Sequence, residues 1–292
     1  MNTSGTRFSP LRRLYLVAIF AFLYIPILVL IVNSFNASKS RTVWTGFTLD
    51  WYRRLFSNET IITSLINTLA VALIASVVAT ILGTMAAIGL HNMKRITRSL
   101  VINLTYMPIL NPEIITGVSL MLLFVSLNIS FGYLTLILSH ISFCVPYVIL
   151  NVLPKLRQTD RSLYEAALDL GCTPMKAFTK VIIPEIMPGI LTGFLMSFTY
   201  SIDDFVISYF TYGPTSQTLS ITIFSMTRRK VSPEVNALSA IIFLVVLSVL
   251  LIMNLREINA EKKTRMAVSA AIRNESKSHK HEHAADSNGG GE

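Results

Sequence analysis

Charged residues are scarce in this sequence. They make up 14% of its 292 residues, whereas 52% are hydrophobic, and the mean hydropathy is +0.57. Soluble domains carry about 25% charged residues, so the composition excludes an ordinary soluble domain. Lys and Arg outnumber Asp and Glu by 25 to 16. In a soluble protein this excess would suggest a nucleic-acid partner. Here the basic residues cluster at the ends of apolar runs, which indicates a membrane protein with no nucleic-acid partner.

Cysteine is nearly absent, and the motifs of several enzyme classes are missing. Cys144 lies in an apolar stretch and Cys172 in a charged one, a spacing that predicts neither a disulfide nor a metal site. The sequence has no G-x-x-x-x-G-K-S/T phosphate loop. It also lacks the H-E-x-x-H motif or Ser/His pairing of an intramembrane enzyme. We therefore expect a protein that is not an enzyme, with no cofactor, no metal and no catalytic residue.

Long apolar runs are what the sequence does contain. A helix needs about 20 apolar residues to cross a hydrocarbon core roughly 30 Å thick, and six runs reach this length. The sequence therefore predicts an all-α membrane protein with six transmembrane helices. The first run is too long for a cleaved signal peptide, and no small-residue cleavage site follows it. The predicted spans cover residues 14–35, 64–90, 100–127, 133–153, 186–210 and 235–255.

The distribution of Lys and Arg predicts the orientation of these spans. If residues 1–13 are cytoplasmic, 18 of the 25 Lys and Arg face the cytoplasm and seven face the other side. We therefore expect both termini in the cytoplasm, and residues 36–63 in an extracytoplasmic loop with a short interfacial helix. Residues 257–292 are charged and rich in Ser, Gly and His, which predicts a disordered tail. Its alternating histidines make only a weak metal site: His279, His281 and His283.

The cytoplasmic loop between the fourth and fifth spans is unusually charged. Asp160 or Ser162 would cap a first short helix in it. Gly171 stands where that helix would end, because a glycine accepts the positive φ that is common after a helix. The pair Thr173-Pro174 would begin a second helix that leads back into the membrane. Taken alone, these features also fit an ordinary amphipathic loop on the inner leaflet.

A fixed pattern inside this loop narrows the interpretation. The pattern reads Glu165-Ala166-Ala167, Gly171, Val181 and Ile183-Pro184. It resembles the EAA loop of binding-protein-dependent ABC importer permeases. Val181 for Ile and Ile183 for Leu are the only departures, and both are conservative.

The resemblance implies a function for the loop, residues 154–184. In the family it forms a coupling helix that docks in a groove of a cytoplasmic ABC ATPase. Glu165 would make a polar contact there, Ala166 and Ala167 would allow close packing, and Gly171 would permit the turn. Pro184 would mark the return to the membrane. ATP binding would close the ATPase dimer, and the loop would transmit that movement to the transmembrane helices.

The resemblance extends over most of the chain, to about Arg256. Stretches such as SFTYSIDDFVISYF and VSPEVNALSAIIF resemble the permeases of polyamine importers, which take up spermidine and putrescine. This resemblance implies a type I (MetI-like) permease core over residues 64–256, with residues 14–35 as a peripheral helix. It also implies a bacterial inner-membrane location within the lipid bilayer. The implied protein partners are the ATPase, a sister permease in a heterodimer, and an extracytoplasmic polyamine-binding protein.

Three acidic residues lie within predicted spans, where a charge at a helix centre costs about 2.5–3.5 kcal/mol or more and is functional by default. They are Glu113, Asp203 and Asp204. No basic residue lies in the same spans, so an acidic pore that suits a cationic substrate is predicted. Consecutive helical residues point about 100° apart, which favours Asp203 for the substrate path and Asp204 for a contact with a neighbouring helix. The alternatives are a purely interhelical role for both aspartates and a helix-capping role for Glu113.

Aromatic residues near these acids could bind a cation through their ring faces. The candidates are Trp51, Tyr200 and Tyr209, although Trp51 equally fits an interfacial anchor. His140 is an isolated membrane histidine that we expect to form a helix–helix hydrogen bond. Two other functions remain open: an importer for another small solute, and an ion-coupled secondary transporter that uses the same acids. The sequence shows no internal repeat of the kind common in secondary transporters.

Overall fold

A computed structural model of the chain describes residues 10–39, 43–229, 233–245, 247, 248 and 251. This part is almost entirely helical, and its one β-type pairing is the isolated bridge between Asn36 and Phe47. The tail at 257–292, with its expected disorder and its histidines, lies outside the described residues. The helices are α1 Pro10–Ser34, α2 Asp50–Ser57, α3 Glu59–Asn92, α4 Arg95–Leu110, α5 Glu113–Ser126, α6 Tyr133–Gln158, α7 Arg161–Asp169, α8 Pro174–Ala177, α9 Ile183–Asp203, α10 Val206–Thr211, α11 Leu219–Arg229 and α12 Pro233–Val245.

The all-α prediction is confirmed, whereas the count of six spans is only partly matched. Within the described residues four helical segments are long and apolar enough to cross a bilayer, and a bent pair, α4 with α5, makes a fifth. The predicted sixth span is described only as the shorter apolar helix α12. The four segments are Leu14–Ser34, Glu59–Asn92, Tyr133–Gln158 and Pro174–Asp203.

The third predicted span, residues 100–127, is broken rather than continuous. Helices α4 and α5 meet at an angle of 101° across Asn111 and Pro112. Proline has no N–H to donate and disfavours helical backbone at the residue before it, and Asn111 is accordingly extended, with ψ 144°. The break places Glu113 at the start of a new helix instead of in the middle of a span.

The fifth predicted span, residues 186–210, also differs from the expectation at both ends. Its helix begins at Pro174, because α8 continues through one π-helical turn, Phe178–Ile182, into α9. It ends at Asp203, since Asp204 is extended, with φ −62° and ψ 128°. Asp203 and Asp204 therefore do not lie on one helix, and the argument from their 100° separation was wrong. The helix stops between them, so the 100° spacing of a continuous helix does not apply to this pair.

The chain forms two compact units. The first combines residues 1–52 with 236–292, and the second is residues 53–235. In the first unit, Asn36 organises the loop after α1. Its amide donates to the Val43 carbonyl at 2.8 Å, and its Oδ1 accepts from Thr45 N. The Trp51 indole donates to the Asn36 carbonyl at 2.7 Å, and the side chain is 5% exposed. Trp51 therefore anchors this loop.

The core of the second unit lies where α3, α6 and α9 pack together. Helix α3 presents small residues at helical spacing, among them Ala72, Ala75, Ala79 and Gly83, all of them buried. Small residues let helix backbones approach closely where lipid removes the usual hydrophobic driving force. The larger core side chains come mainly from α6. The core consists of Ala87, Leu90, Val148, Ile149, Val152, Leu153, Leu156 and Ile186.

The N-terminal part of α3 holds α11 and the segment before it through polar contacts. Ser64 and Thr222 share a hydroxyl hydrogen bond of 2.6 Å, and Thr68 Oγ1 accepts from Leu219 N at 2.8 Å. The Asn67 amide donates to two carbonyls of the same segment, those of residues 215 and 217. Buried polar groups need such partners, so these contacts fix α11 against α3.

Two glycines of α3 give a matched test of this packing. A Cβ at Gly83 would lie 2.6 Å from the Cβ of Val148, whereas a Cβ at Gly89 would meet nothing within 4 Å. We expect Gly83→Ala to destabilise the protein by about 1–3 kcal/mol through overpacking. Gly89→Ala should leave stability unchanged or raise it slightly, because alanine favours helix. Thermal unfolding of the two detergent-solubilised variants measures the difference, and equal melting temperatures would contradict the α3–α6 contact.

Candidate functional site

A cavity with a volume of about 240 Å³ lies where the two helix breaks meet. Helix α5 packs against α10, and α10 against α6, so the residues beside both breaks face one space. Gly117 of α5 permits this approach, because a Cβ there would lie 2.8 Å from the Phe210 ring. The cavity is lined by Pro108, Ile109, Asn111, Glu113, Thr116, Phe143, Tyr147, Tyr200, Asp203, Asp204, Phe205, Val206 and Ile207.

Glu113 and Asp203, far apart in sequence, both line this cavity with exposed side chains. Glu113 is the first residue of α5, and Asp203 is the last of α9. A carboxylate in the first turn of a helix is also stabilised by the helix dipole, so the position of Glu113 fits both a capping and a substrate-binding role. The lining contains three acidic residues and no Lys or Arg among the described residues.

Asp204 has a different environment, although it borders the same cavity. Its two carboxylate oxygens accept hydrogen bonds from Ile207 N at 3.2 Å and Ser208 N at 2.7 Å. These are orphan amides of the first turn of α10, so Asp204 caps that helix. Its Oδ2 also lies 3.6 Å from Nε2 of His140, and only 5% of its side chain is exposed. The buried carboxylate of Asp204 therefore has a structural role, as the cap of α10 beside His140.

His140 forms the helix–helix hydrogen bonds that the sequence predicted. Its Nδ1 lies 2.6 Å from the Ser201 hydroxyl of α9, and its Nε2 lies 3.0 Å from the Ser208 hydroxyl of α10. The side chain is 1% exposed. His140 therefore links α6 to both helices that flank the break at Asp204.

Two tyrosines form the aromatic wall of the cavity. The rings of Tyr147 and Tyr200 stack with centroids 4.3 Å apart and an interplanar angle of 22°. Tyr200 was predicted from sequence, but Tyr147 and Phe143 were not. A signal was available, because residues 140, 143 and 147 recur at helical spacing on one face of α6. Only knowledge of the packing identifies this face as the one that lines the cavity.

The other two predicted aromatic residues lie outside this lining. Tyr209 borders a second cavity of about 420 Å³, whose lining also includes Phe224 and Arg228. The Arg228 guanidinium lies 5.7 Å from the centre of the Phe224 ring. Phe205 borders the acidic cavity, and its ring contacts those of Tyr209 and Phe224 at 5.6 and 4.8 Å. Phe205 thus separates the two cavities. Trp51 lines neither of them.

The charged loop folds as its local sequence predicts. Asp160 caps α7 by accepting from Ser162 N at 3.0 Å, and this hydrogen bond lowers the pKa of the Asp160 carboxyl. The helix ends at Gly171, whose φ is +83°, as predicted. Cys172 N donates to the Ala167 carbonyl at 3.0 Å, and Gly171 N donates to the carbonyl of residue 168 at 2.9 Å. This pair of hydrogen bonds is a Schellman motif, which satisfies the last carbonyls of α7.

The second helix of the loop begins at Pro174, as predicted, although Thr173 makes no side-chain cap. This helix continues through a π-helical turn into the apolar helix α9. The π-helical turn precedes Pro184, and Ile183 N donates to the Phe178 carbonyl five residues back. Such a wider turn relieves the clash between a proline ring and the carbonyl four residues earlier. The second helix of the loop therefore runs without interruption into α9, which ends at Asp203.

The outer surface of the loop is exposed in the way a docking element requires. Glu165 and Ala166 are exposed, whereas Ala167 is buried within the loop. Two apolar side chains beside them stand out: Leu170 is 87% exposed and Met175 is 72% exposed. The sequence gives no signal for these two residues, because an apolar residue in an amphipathic loop has no distinctive pattern.

Residues 79–265 match the family described as binding-protein-dependent transport system inner membrane component. The spermidine/putrescine transport system permease protein PotC of Haemophilus influenzae is 38% identical over 83% of this chain and 93% of its own length. PotC of Escherichia coli K12 is 39% identical over 83% and 91%. The putrescine transport system permease protein PotI of that strain is 41% identical over 83% and 89%.

The fold has solved counterparts. A bacterial ABC transporter involved in the import of the acidic polysaccharide alginate contains a chain that superposes with a TM-score of 0.63 over 82% of this chain and 91% of that one, at 18% identity. This likeness supports the fold alone. The 38–41% identity to transport system permease proteins confirms the resemblance seen in the sequence. The chain belongs to the family of binding-protein-dependent transport system inner membrane components.

Proposed function

We propose that this protein is a permease subunit of an ABC importer that takes up polyamines such as spermidine and putrescine. The observation that carries the proposal is the acidic cavity at the two helix breaks, which combines Glu113 and Asp203 with a pair of stacked tyrosines. The names of the PotC and PotI relatives point to the same substrate class.

The chemistry of the cavity suits a flexible polycation. Two exposed carboxylates on separate helices offer two sites for ammonium groups, and no Lys or Arg of the described lining opposes them. Ring faces attract cations by about 0.5–2 kcal/mol each, so Tyr147 and Tyr200 would favour a cationic chain that lies between the acids. Broken helices at a binding site are common in membrane transporters, because irregular backbone is tolerated where it lines a cavity.

The proposed energy source is a separate cytoplasmic ABC ATPase that binds loop 154–184. Exposed Glu165 and Ala166 form the polar and close-packing part of the contact, and Leu170 and Met175 supply its apolar part. The other proposed partners are a sister permease in a heterodimer and an extracytoplasmic polyamine-binding protein. A structural neighbour was solved in complex with a periplasmic protein that carries an alginate pentasaccharide, which supports the last kind of partner.

The proposed location is a bacterial inner membrane, with residues 1–13, loop 154–184 and the tail at 257–292 in the cytoplasm. The proposed permease core covers residues 64–256. The distribution of Lys and Arg supports this orientation. It predicts that a membrane-impermeant maleimide labels Ser57→Cys in intact spheroplasts, whereas Met93→Cys reacts only in inverted vesicles. Both positions are exposed, and Cys172→Ser in each variant removes the background. The reverse labelling pattern would overturn the orientation.

The function is tested by ATP hydrolysis and uptake in proteoliposomes that contain this chain, its sister permease and the ATPase. Three conditions are compared: no binding protein, unloaded binding protein, and binding protein with spermidine. We expect stimulation of hydrolysis and accumulation of labelled spermidine only in the third condition.

Other outcomes separate the alternatives. A complex that assembles but ignores spermidine and putrescine would retain the importer class and refute the polyamine substrate in favour of another small solute. A chain that binds no ATPase would refute the role of the loop. Uptake driven by a proton gradient without ATP would then favour the secondary transporter.

A further inference from the structure

The break between α9 and α10 is held by a cluster of buried side chains. Ser201 belongs to the last turn of α9, Ser208 to the first turns of α10, and His140 of α6 bonds to both. Asp204, in the break itself, caps α10 through its carboxylate. His140, Ser201 and Ser208 are each no more than 2% exposed.

Proline and glycine do not account for this break. The residues at it are Asp203, Asp204 and Phe205, with neither residue type among them. A helix that stops at such residues leaves unpaired backbone groups, which are costly in a membrane unless side chains satisfy them. The Asp204 carboxylate satisfies two amides of α10, and His140 holds the hydroxyls of serines that lie 61 and 68 residues after it. A local cap and a tertiary contact therefore meet at the break.

The same break positions two groups of the acidic cavity. Asp203 is the residue immediately before it, and Tyr200 lies one turn earlier on α9. The hydrogen bond from His140 to Ser201 fixes the end of α9 between these two residues, because Ser201 separates them in sequence. The bond to Ser208 fixes the start of α10 on the far side.

We propose that His140 is a positioning residue for the transported substrate. By holding Ser201 and Ser208 on either side of the break, it sets the direction of the Asp203 carboxylate and the Tyr200 ring in the cavity. His140 does not line the cavity and does not contact the substrate. This inference rests on the proposed function of the cavity as a polyamine path.

The test uses the full complex of both permeases, ATPase and binding protein, with spermidine uptake measured per assembled complex. His140→Ala is expected to reduce uptake about tenfold while basal ATP hydrolysis and assembly are retained. His140→Gln, whose amide reaches the position of Nε2 and can donate and accept, is expected to restore most of the uptake. The matched control is Ser139→Ala, because the buried Ser139 hydroxyl bonds only within its own helix, to the Thr135 carbonyl at 2.7 Å.

A double variant separates positioning from general stability. If His140 acts through Asp203, adding His140→Ala to Asp203→Asn lowers uptake no further than Asp203→Asn alone, since residues that act as a unit are non-additive. Independent, multiplicative losses would overturn the inference, as would wild-type uptake in His140→Ala. If the His140→Ala complex does not assemble, Ser201→Ala and Ser208→Ala replace it. Each is combined with Asp203→Asn, and additivity of the uptake losses is judged in the same way. Wild-type uptake in Asp203→Asn alone would overturn the inference, whereas wild-type uptake in both Asp203→Asn and Glu113→Gln would overturn the proposed function of the cavity as well.

Discussion

Replacement of Asp203 by asparagine is expected to lower spermidine uptake by about tenfold to a hundredfold. Hydrogen bonds to charged groups are worth about 1.5–3 kcal/mol, and each 1.4 kcal/mol corresponds to a factor of ten. The exposed carboxylate faces a cavity without Lys or Arg in its described lining. Its removal therefore leaves an ammonium group with only one exposed carboxylate, that of Glu113. Glu113→Gln should have an effect in the same direction.

The measurement is uptake of labelled spermidine in proteoliposomes, with ATP hydrolysis recorded in parallel. Asp50→Asn is the matched control, because it removes an exposed aspartate at the start of α2 that does not line the cavity. We expect the control to transport like the wild type. Normal uptake in both Asp203→Asn and Glu113→Gln would refute the acidic path and leave these residues a structural role.

Replacement of Glu165 by alanine is expected to uncouple transport from ATP hydrolysis. Glu165 is exposed on α7, next to exposed Ala166 and near the highly exposed Leu170. If this surface docks on the ATPase, Glu165 belongs to a small set of interface residues whose loss costs about 1–2 kcal/mol or more. We therefore expect substrate-stimulated hydrolysis and uptake to fall by about fivefold to thirtyfold or more. Membrane insertion should be unchanged, because the Glu165 side chain is exposed and does not belong to the buried helical core.

Glu185→Ala supplies the control for this prediction. It is the same chemical change at an exposed glutamate on the same side of the protein, in the first turn of α9 and outside the pattern of the loop. Co-purification of the ATPase with each variant measures docking, and hydrolysis stimulated by loaded binding protein measures coupling. Equal behaviour of the two variants would show that the loop does not dock through Glu165.

The loop 154–184 shows what could be predicted from sequence and why. The cap at Asp160, the turn at Gly171 and the restart at Pro174 were all predicted, and all three are present. Each depends on residues within five positions along the chain, so the local chemistry is complete in the sequence. The second helix was predicted to lead back into the membrane, but the π-helical turn Phe178–Ile182 that joins it to α9 was not predicted.

The acidic cavity shows the opposite case. The acids were identified because charges are rare in apolar spans, yet their arrangement required the two helix breaks. One break has a local cause, Pro112, although the predicted span 100–127 ran through it. The other combines a local cap by Asp204 with the tertiary contact of His140. Tyr147 was missed, and Tyr209 and Trp51 lie outside the cavity lining.

The sequence by itself determined the helical membrane class, the family, the local fold of the loop 154–184 and the positions of the acidic residues. These follow from segment length, composition and contacts between neighbours along the chain. Only the tertiary structure decided which residues share the cavity and where α9 stops. The physical reason is that the two helix ends at the stop are joined by hydrogen bonds from His140 to serines 61 and 68 residues away, and no local pattern encodes a contact between residues that only packing brings together.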